Sequence, residues 1–257
     1  MLFDLTHILF FTISFILVGI GIFLCIKYIH KQEHKDLVIK ISAVATVLIH
    51  YSSLWYHFLV DKDASVGSNM LFMAYPCNMG MWFLFIFAFI SNKKSKFATM
   101  LAEFTFYLGV VGGIIGVLLN ENYASTPSLK DYDVLKGLVS HITMLFGCIC
   151  LCGFGYMKVR VKNILSVFIG YVFMLLNAWF IIKLFTKFNI DPPDGMYLLH
   201  VPYESAPWFN IWTMGLMGLI LLFGIGALVE YFFLEKEERW YYKLRRREDN
   251  KNEWCYY

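Results

Sequence analysis

The sequence is poor in charge. Asp, Glu, Lys and Arg account for 16% of its 257 residues, against about 25% in ordinary soluble domains. Hydrophobic residues account for 59%, and neither a soluble domain, nor an internal repeat, nor a low-complexity tract interrupts them. A soluble domain of this length could bury a good core, but it could not hide so many long apolar runs.

The sequence also lacks the marks of several other classes. Its first segment has no positively charged start and no small-residue cleavage pattern, so we expect a retained helix rather than a signal peptide. The last apolar segment has neither a lysine for a retinal Schiff base nor an Asn-Pro bend, and the third ends without an acidic-Arg pair, which argues against a receptor. A channel or transporter would place charges along a path, yet Glu103, Lys136, Lys183 and Glu230 all lie toward segment ends.

What the sequence does contain is a series of seven long apolar segments. A helix needs about 20 apolar residues to cross a bilayer, and we place such segments at approximately 5–26, 37–60, 70–91, 97–119, 134–156, 163–185 and 208–234. The sequence therefore predicts an all-α, polytopic membrane protein. Its seven-helix bundle forms one membrane domain over residues 1–234, and a basic tail follows over 235–257.

The basic residues between these segments are distributed unevenly. Sixteen lie in segments 27–36, 92–96, 157–162 and 235–257, whereas Lys62, Lys130 and Lys187 are the three at the opposite ends. Lys and Arg accumulate on the cytoplasmic side of a membrane, so we expect the N-terminus outside the plasma membrane and the C-terminus in the cytoplasm. The net charge of +3 is no evidence for a nucleic-acid partner, because the basic residues are distributed by membrane side. We therefore expect no nucleic-acid partner.

Polar or small residues of five predicted helices fall at one level below the outer face. Cys77 lies seven residues after the start of the third segment, about 10 Å deep, and His141 lies seven residues into the fifth. His50, Asn177 and the pair Gly112-Gly113 are the other members of this layer. Each alone could serve packing, as membrane thiols, asparagines and glycines often do. Together they favour a functional site, because polar groups in a membrane are costly and usually face the bundle interior.

The chemistry that a cysteine and a histidine support together is acyl transfer. We predict that Cys77 is the nucleophile and that His141 is the general base that accepts the thiol proton. Asn177 and His50 would orient this base or the substrate, and Asn78 or a backbone N–H would hold the oxyanion. Pro76 either kinks the third helix or is the first residue of a shorter helix.

The remaining cysteines and the last outer segment complete the set of candidates. Cys148, Cys150 and Cys152 are spaced by two residues, so on a helix they cannot share a metal ion, and we expect neither a metal nor another cofactor.

Segment 186–207 combines prolines with apolar residues, which is typical of a lid at the interface. Gly112, Gly113, Tyr197, His200 and Trp208 are the predicted substrate contacts, and His200 is also an alternative base.

The predicted depth of the site favours a membrane lipid as the acyl donor. Ester carbonyls of outer-leaflet phospholipids lie near this level, whereas cytosolic acyl-CoA would have to cross the bilayer. We therefore expect a CoA-independent transfer from a phospholipid to a lysophospholipid or to a lipoprotein amine. Two alternatives stay open: a lipid receptor or sensor without turnover, and a lipid transporter or scramblase. The sequence predicts no oligomeric state.

Five motifs in the same order resemble the YwaF-like family of integral membrane proteins, which includes animal transmembrane protein 164. They are "YPCN" (75–78), "YLGVVGGIIGVLL" (107–119), "SHITML" (140–145), "LLNAWF" (175–180) and "GMYLLHVPYESAPW" (195–208). The resemblance covers roughly residues 70 to 234. It implies a phospholipid acyltransferase with Cys77 and His141 as its catalytic residues. The chain departs from the family at Asp194-Gly195, where the family tends to have Asn-Tyr.

Overall fold

The computed structural model describes residues 2–62, 73, 75–200, 207–208 and 210–242. All regular elements in these ranges are helical. The α-helices are α1 Leu5–Tyr28, α2 Gln32–Tyr56, α3 Pro76–Phe89, α4 Lys96–Leu118, α5 Glu121–Ser125, α6 Tyr132–Gly153, α7 Ile164–Lys187 and α8 Ile211–Phe233. Six of these helices are long and apolar enough to cross a membrane, and α3 is a shorter apolar helix. The prediction of an all-α, multi-pass membrane protein is confirmed to this extent.

The third predicted segment differs most from its expected bounds. A helix was expected from residue 70, but α3 begins at Pro76, and Tyr75 before it is extended with φ −95° and ψ 144°. Proline forces its preceding residue out of the helical region and is itself favoured at the first helical position. Pro76 is therefore the first residue of a shorter helix. Residues 70–72 and 74 of the predicted segment lie outside the described residues.

Helix α6 lies at the centre of the bundle, and α2 packs against it in the antiparallel direction. The Ser42 hydroxyl donates to the carbonyl of Thr143 (2.9 Å), the Thr46 hydroxyl donates to the Thr143 hydroxyl (3.0 Å), and the Ser53 hydroxyl donates to the Asp133 carboxylate (2.7 Å). Residue numbers rise along α2 as they fall along α6. Polar side chains thus join the two helices where the lipid offers no partner.

Helix α3 packs beside α6 in the parallel direction. A Cβ atom on Gly80 of α3 would lie 3.4 Å from the sulfur of Met144 in α6. Further along both helices, a Cβ on Gly147 of α6 would lie 2.8 Å from Leu84 of α3. Because residue numbers rise together along the two helices, residues one turn before these contacts also share a level.

A stripe of glycines brings α4 very close to α6. A Cβ on Gly109 would lie 2.1 Å from the sulfur of Cys148, and one on Gly113 would lie 2.9 Å from Leu145 Cβ. These are distances that real Cβ atoms do not reach, so only glycine permits this approach of the two backbones. Small residues drive helix packing in membranes, where burial of apolar surface gains nothing over lipid.

The first turn of helix α1 is held by His7. The ring of His7 accepts the Phe3 N–H at Nδ1 (3.1 Å), donates from Nε2 to the Val117 carbonyl (2.9 Å) and stacks on Tyr123 with 4.6 Å between centroids. The His7 N–H and the Tyr123 hydroxyl donate to Asp4, which lowers the pKa of this carboxyl. His7 is therefore fully engaged in structure, unlike the histidines of the layer described above.

Gly113 and its neighbour Gly112 allow the α4–α6 contact to be tested. A Cβ on Gly112 would meet nothing closer than the Met144 methyl group at 3.7 Å, an ordinary contact. We expect Gly113→Ala to destabilise the folded protein by about 1–3 kcal/mol through overpacking. Gly112→Ala should be neutral or slightly stabilising, as for helical glycine replaced by alanine. Thermal unfolding in detergent measures both, and equal melting temperatures for the two variants would contradict the contact.

Candidate functional site

Cys77 and His141 stand at the same level on two parallel helices. Cys77 lies one turn before Gly80 in α3, and His141 lies one turn before Met144 in α6, the residues whose contact aligns these helices. Cys77 is also seven residues, two helical turns, before Leu84, whose side chain faces α6. The thiol therefore lies on the side of α3 that packs against α6, at the height of the imidazole.

The hydrogen bond at Nδ1 determines the proton position on His141. This nitrogen lies 2.7 Å from the carbonyl oxygen of Gly137, one turn earlier in α6. A carbonyl only accepts, so Nδ1 carries the proton and Nε2 carries the lone pair. Gly116 of α4 leaves room for the ring, since a Cβ there would lie 2.4 Å from Nε2. The buried imidazole is thus held in the form that can take a proton at Nε2.

His50 and Asn78 lie beside this pair. Asn78 is 3% exposed, and its side-chain oxygen accepts a weak hydrogen bond from the Cys77 thiol at 3.5 Å. The His50 ring lies next to the Asn78 side chain and within electrostatic range of His141. Its two ring nitrogens are buried, yet neither has a hydrogen-bonding partner of good geometry in the described part of the chain. The Asn78 side chain can pair with one of these nitrogens, and because unpaired buried polar atoms are uncommon in proteins, the other has capacity for a ligand.

An ionic cluster next to the site was missed by the sequence-based prediction. The carboxylate of Asp133 accepts hydrogen bonds from Ser53 (2.7 Å) and His57 (2.7 Å) and lies 3.4 Å from the Lys136 ammonium group. The Lys136 side chain is 9% exposed and lies within electrostatic range of Cys77. The spacing of Asp133 and Lys136 on one helix was a usable signal, but Lys136 was treated as a charge toward a segment end and Asp133 was not considered.

The other residues of the predicted layer have different surroundings. Asn177 of α7 donates from its side-chain amide to the carbonyl of Met73 (3.4 Å). This contact holds the segment that leads into Cys77, and it does not involve His141. Gly112 and Gly113 both face α6. The structure thus places these two glycines in helix packing.

The predicted lid is organised by Asp194. Its carboxylate accepts the backbone N–H groups of Leu198 (2.6 Å), Leu199 (3.0 Å) and His200 (2.8 Å). Asp194, at which the chain departs from the family pattern, therefore stabilises the loop. The His200 side chain is 82% exposed and lies 3.4 Å from Asp194.

Two further predicted substrate contacts lie in or after this loop. Tyr197 adopts a left-handed conformation with φ 53° and is half-buried. Trp208 is 65% exposed, as suits an interfacial anchor. Residues 201–206, which belong to the predicted lid region, lie outside the described residues.

Cys148 and Cys150 are fully buried in α6, and Cys152 is half-buried. The sulfur of Cys148 fills the space opposite Gly109, which is a packing role. Among the residues that the structure describes, no three histidine, cysteine or acidic side chains are grouped so that they could hold a metal ion.

The fold and this group of side chains define a multi-pass helical membrane protein with one cysteine and two histidines at one end of its bundle. The chain belongs to the TMEM164 family, whose model matches residues 2–231. The resemblance inferred from the motifs is thereby confirmed. No curated protein and no solved structure matches the chain.

The ionic cluster is testable by a double-mutant cycle. Asp133→Ala leaves the Lys136 ammonium buried without its partner, which costs about 3–5 kcal/mol for a fully buried pair. We expect about 2 kcal/mol here, because Asp133 is one-third exposed and water screens it. The double variant with Lys136→Met should regain most of this loss. Chemical or thermal unfolding of the four proteins gives the coupling energy, and additive effects would contradict the pairing.

Proposed function

We propose that the protein is a CoA-independent membrane acyltransferase that moves an acyl chain from a phospholipid to a lysophospholipid through a thioester on Cys77. The observation that supports this proposal best is the shared level of Cys77 and His141, with the Nδ1 proton of His141 fixed on Gly137. A thiol and an imidazole with a free lone pair at Nε2 are the minimal pair for acyl transfer through cysteine.

In the first step the Cys77 sulfur attacks the ester carbonyl of the donor phospholipid. Its proton passes to Nε2 of His141, and the S–C bond forms as the carbonyl oxygen becomes an oxyanion. The tetrahedral intermediate collapses by breaking the ester C–O bond. The imidazolium returns its proton to the departing alkoxide, which leaves as a lysophospholipid, and the acyl chain stays on Cys77.

In the second step the hydroxyl of another lysophospholipid attacks the thioester. His141 accepts the hydroxyl proton, the new ester C–O bond forms, and the C–S bond breaks. The sulfur takes back the proton, which restores both residues. A lipoprotein amine is a further acceptor of the same type, and water would give hydrolysis instead. The loop that Asp194 organises lies close to Pro76, because Met196 of this loop and Pro76 line the same cavity. In this position the loop would limit the access of water to the thioester.

Stabilisation of the oxyanion is assigned to His50 and Asn78. Asn78 follows Cys77 directly and is buried, and the buried His50 ring lies next to the Asn78 side chain. A donor aimed at the oxyanion typically contributes about 10²–10³ in rate. Lys136 adds a buried positive charge near the sulfur, where a phosphate headgroup or the developing negative charge would be stabilised.

The proposed topology has seven crossings, with α3 counted as a span that starts below the membrane surface. Helix α3 has 14 residues, about 21 Å, which is shorter than the roughly 30 Å hydrocarbon core. With its last turn at the inner edge of this core, its first turn would lie below the outer edge. The distribution of Lys and Arg then places the N-terminus and the Cys77 end outside and the C-terminus inside the plasma membrane.

Transfer between lipids without CoA tests the proposal. Protein in vesicles of a phospholipid with a labelled acyl chain should move that chain to an added lysophospholipid when no CoA is present. Cys77→Ala should abolish the transfer, and His141→Asn should lower its rate by at least about 10². Cys25→Ala, which replaces another half-buried cysteine far along α1, is the matched control and should keep full activity.

Two results would contradict the proposal. Full transfer by Cys77→Ala would exclude the thioester, and a strict requirement for acyl-CoA would exclude both the lipid donor and the outer placement of the site. If the protein instead binds or moves lipid without forming new esters, the receptor or transporter alternatives are favoured.

A further inference from the structure

An apolar cavity of about 260 Å³ lies between α4, α7 and α8. We refer to it as the α4–α7–α8 cavity. Its walls are one face of each helix, from Val111 to Phe104 on α4, from Met174 to Val167 on α7 and from Ile211 to Leu222 on α8. Helix α8 is largely exposed on its other sides. The cavity thus separates α8 from α4 over several turns.

The upper end of this cavity adjoins the candidate site. Pro76, the residue before Cys77, lines it there, and so does Met196 from the loop that Asp194 organises. Met196 is 2% exposed, so the loop closes over this end. Leu108, another lining residue, is also the side chain next to Gly80, one turn from Cys77. The cavity and the thiol therefore lie on neighbouring sides of the α3 start.

The cavity is elongated along the bundle axis, over about 10 Å on its α4 and α7 walls and further on its α8 wall. From Ile211 to Leu222 the α8 wall spans about 16 Å at 1.5 Å per residue. Half of the hydrocarbon core is about 15 Å, which is the depth that the chains of a single leaflet reach. Phe104 and Val167 form the lower end. Next to them in sequence, the Ser166 hydroxyl donates to the Glu103 carboxylate, so polar groups lie beyond this end.

A second apolar cavity, of about 370 Å³, lacks this relation to the site. It lies between α3, α4 and α7 and is lined by residues such as Phe97, Met100 and Ile169. These belong to the first turns of α4 and α7, at the end of the bundle opposite to Cys77. Of these two cavities, the α4–α7–α8 cavity is the one that reaches the level of the thiol.

We propose that the α4–α7–α8 cavity holds the acyl chain of the donor phospholipid while its ester group is at Cys77, and that the depth of the cavity selects the chain that is transferred. This inference rests on the proposed acyl transfer and names the part of the substrate that determines specificity. The chain comes from lipid that is as apolar as the cavity, so its burial gains little. Selection therefore depends on steric fit.

Gly218 of α8 provides the test. It lines the cavity about 10 Å below Ile211, and a Cβ there would meet no atom within 4 Å. Gly218→Leu should fill the lower half of the cavity without displacing a neighbour. Gly224 is the matched control, because it lies in the same helix, also has no atom within 4 Å of its Cβ position and is not among the residues that line the cavity.

The measurement is the length of the acyl chains that the purified proteins transfer from a mixture of phospholipids with short and long chains. In Gly218→Leu the ratio of short-chain to long-chain transfer should rise about tenfold or more, since a few misplaced methylenes change selection in an apolar pocket by this amount. Gly224→Leu should transfer the wild-type mixture. An unchanged ratio in an active Gly218→Leu protein would overturn the cavity assignment and leave the acyl transfer intact.

A binding measurement separates the two proposals when no transfer is observed. Cys77→Ala protein in vesicles is irradiated with a phospholipid that carries a diazirine at the end of one acyl chain. Adducts should form on Phe104, Val167 and Leu222, and Gly218→Leu, but not Gly224→Leu, should reduce them several-fold. Equal adducts in both variants, or adducts only on lipid-facing residues outside the cavity, would overturn the inference. If adducts follow this pattern but the wild-type protein transfers no acyl chain, the cavity assignment is retained and the catalytic proposal is rejected.

Discussion

The close approach of α4 to α6 is the contact on which the rest of the structure depends. In a bilayer, apolar side chains gain nothing by leaving lipid for protein, so helices associate through close packing and polar contacts. Here Gly109 and Gly113 remove the side chains that would hold α4 away from Cys148 and Leu145. Helix α6 is thereby enclosed by α4 on one side and by the hydroxyl groups of α2 on another.

The same stripe of small residues shapes the candidate site. Gly116 continues it toward the end of the bundle where Cys77 lies, and the imidazole of His141 occupies the space that a side chain would have filled. The ring can then bond to Gly137 in its own helix and keep Nε2 for chemistry. Packing and the proposed function are thus connected in α6, because the contact that assembles the bundle also orients the proposed base. Helix α8, which packs loosely, leaves the room that a lipid chain requires.

Much of the fold could be predicted from the sequence, because apolar segments of membrane length are a strong signal. The common level of Cys77 and His141 was also predictable from their distance to the segment starts, and the structure brings their helices side by side. The third segment was expected to start near residue 70 and its helix starts at Pro76, since hydropathy does not report where a proline breaks the chain. Whether Pro76 kinks or begins a helix is decided by tertiary context.

Other features depend on which helices become neighbours, which one sequence does not reveal. Lys136 was treated as an ordinary charge toward a segment end, but Asp133, Ser53 of α2 and His57, which directly follows α2, form a partly buried cluster with it. The Asn177 side chain, expected to orient the base or the substrate, donates to the Met73 carbonyl. Gly218 carries no signal at all in the sequence, because its importance lies in the empty space beside it.

The central claim is that Cys77 carries the acyl chain between two lipids, and the mass of this residue during turnover tests it most directly. The wild-type protein is mixed with a phospholipid that carries one label on the acyl chain and another on the headgroup, without an acceptor, and is digested at low pH. The account predicts that the peptide with Cys77 gains the acyl chain and its label without the headgroup label, and that hydroxylamine removes it, as for a thioester. An unmodified Cys77 peptide from protein that actively transfers acyl chains, or an acyl group on another residue that survives in Cys77→Ala, would contradict the account.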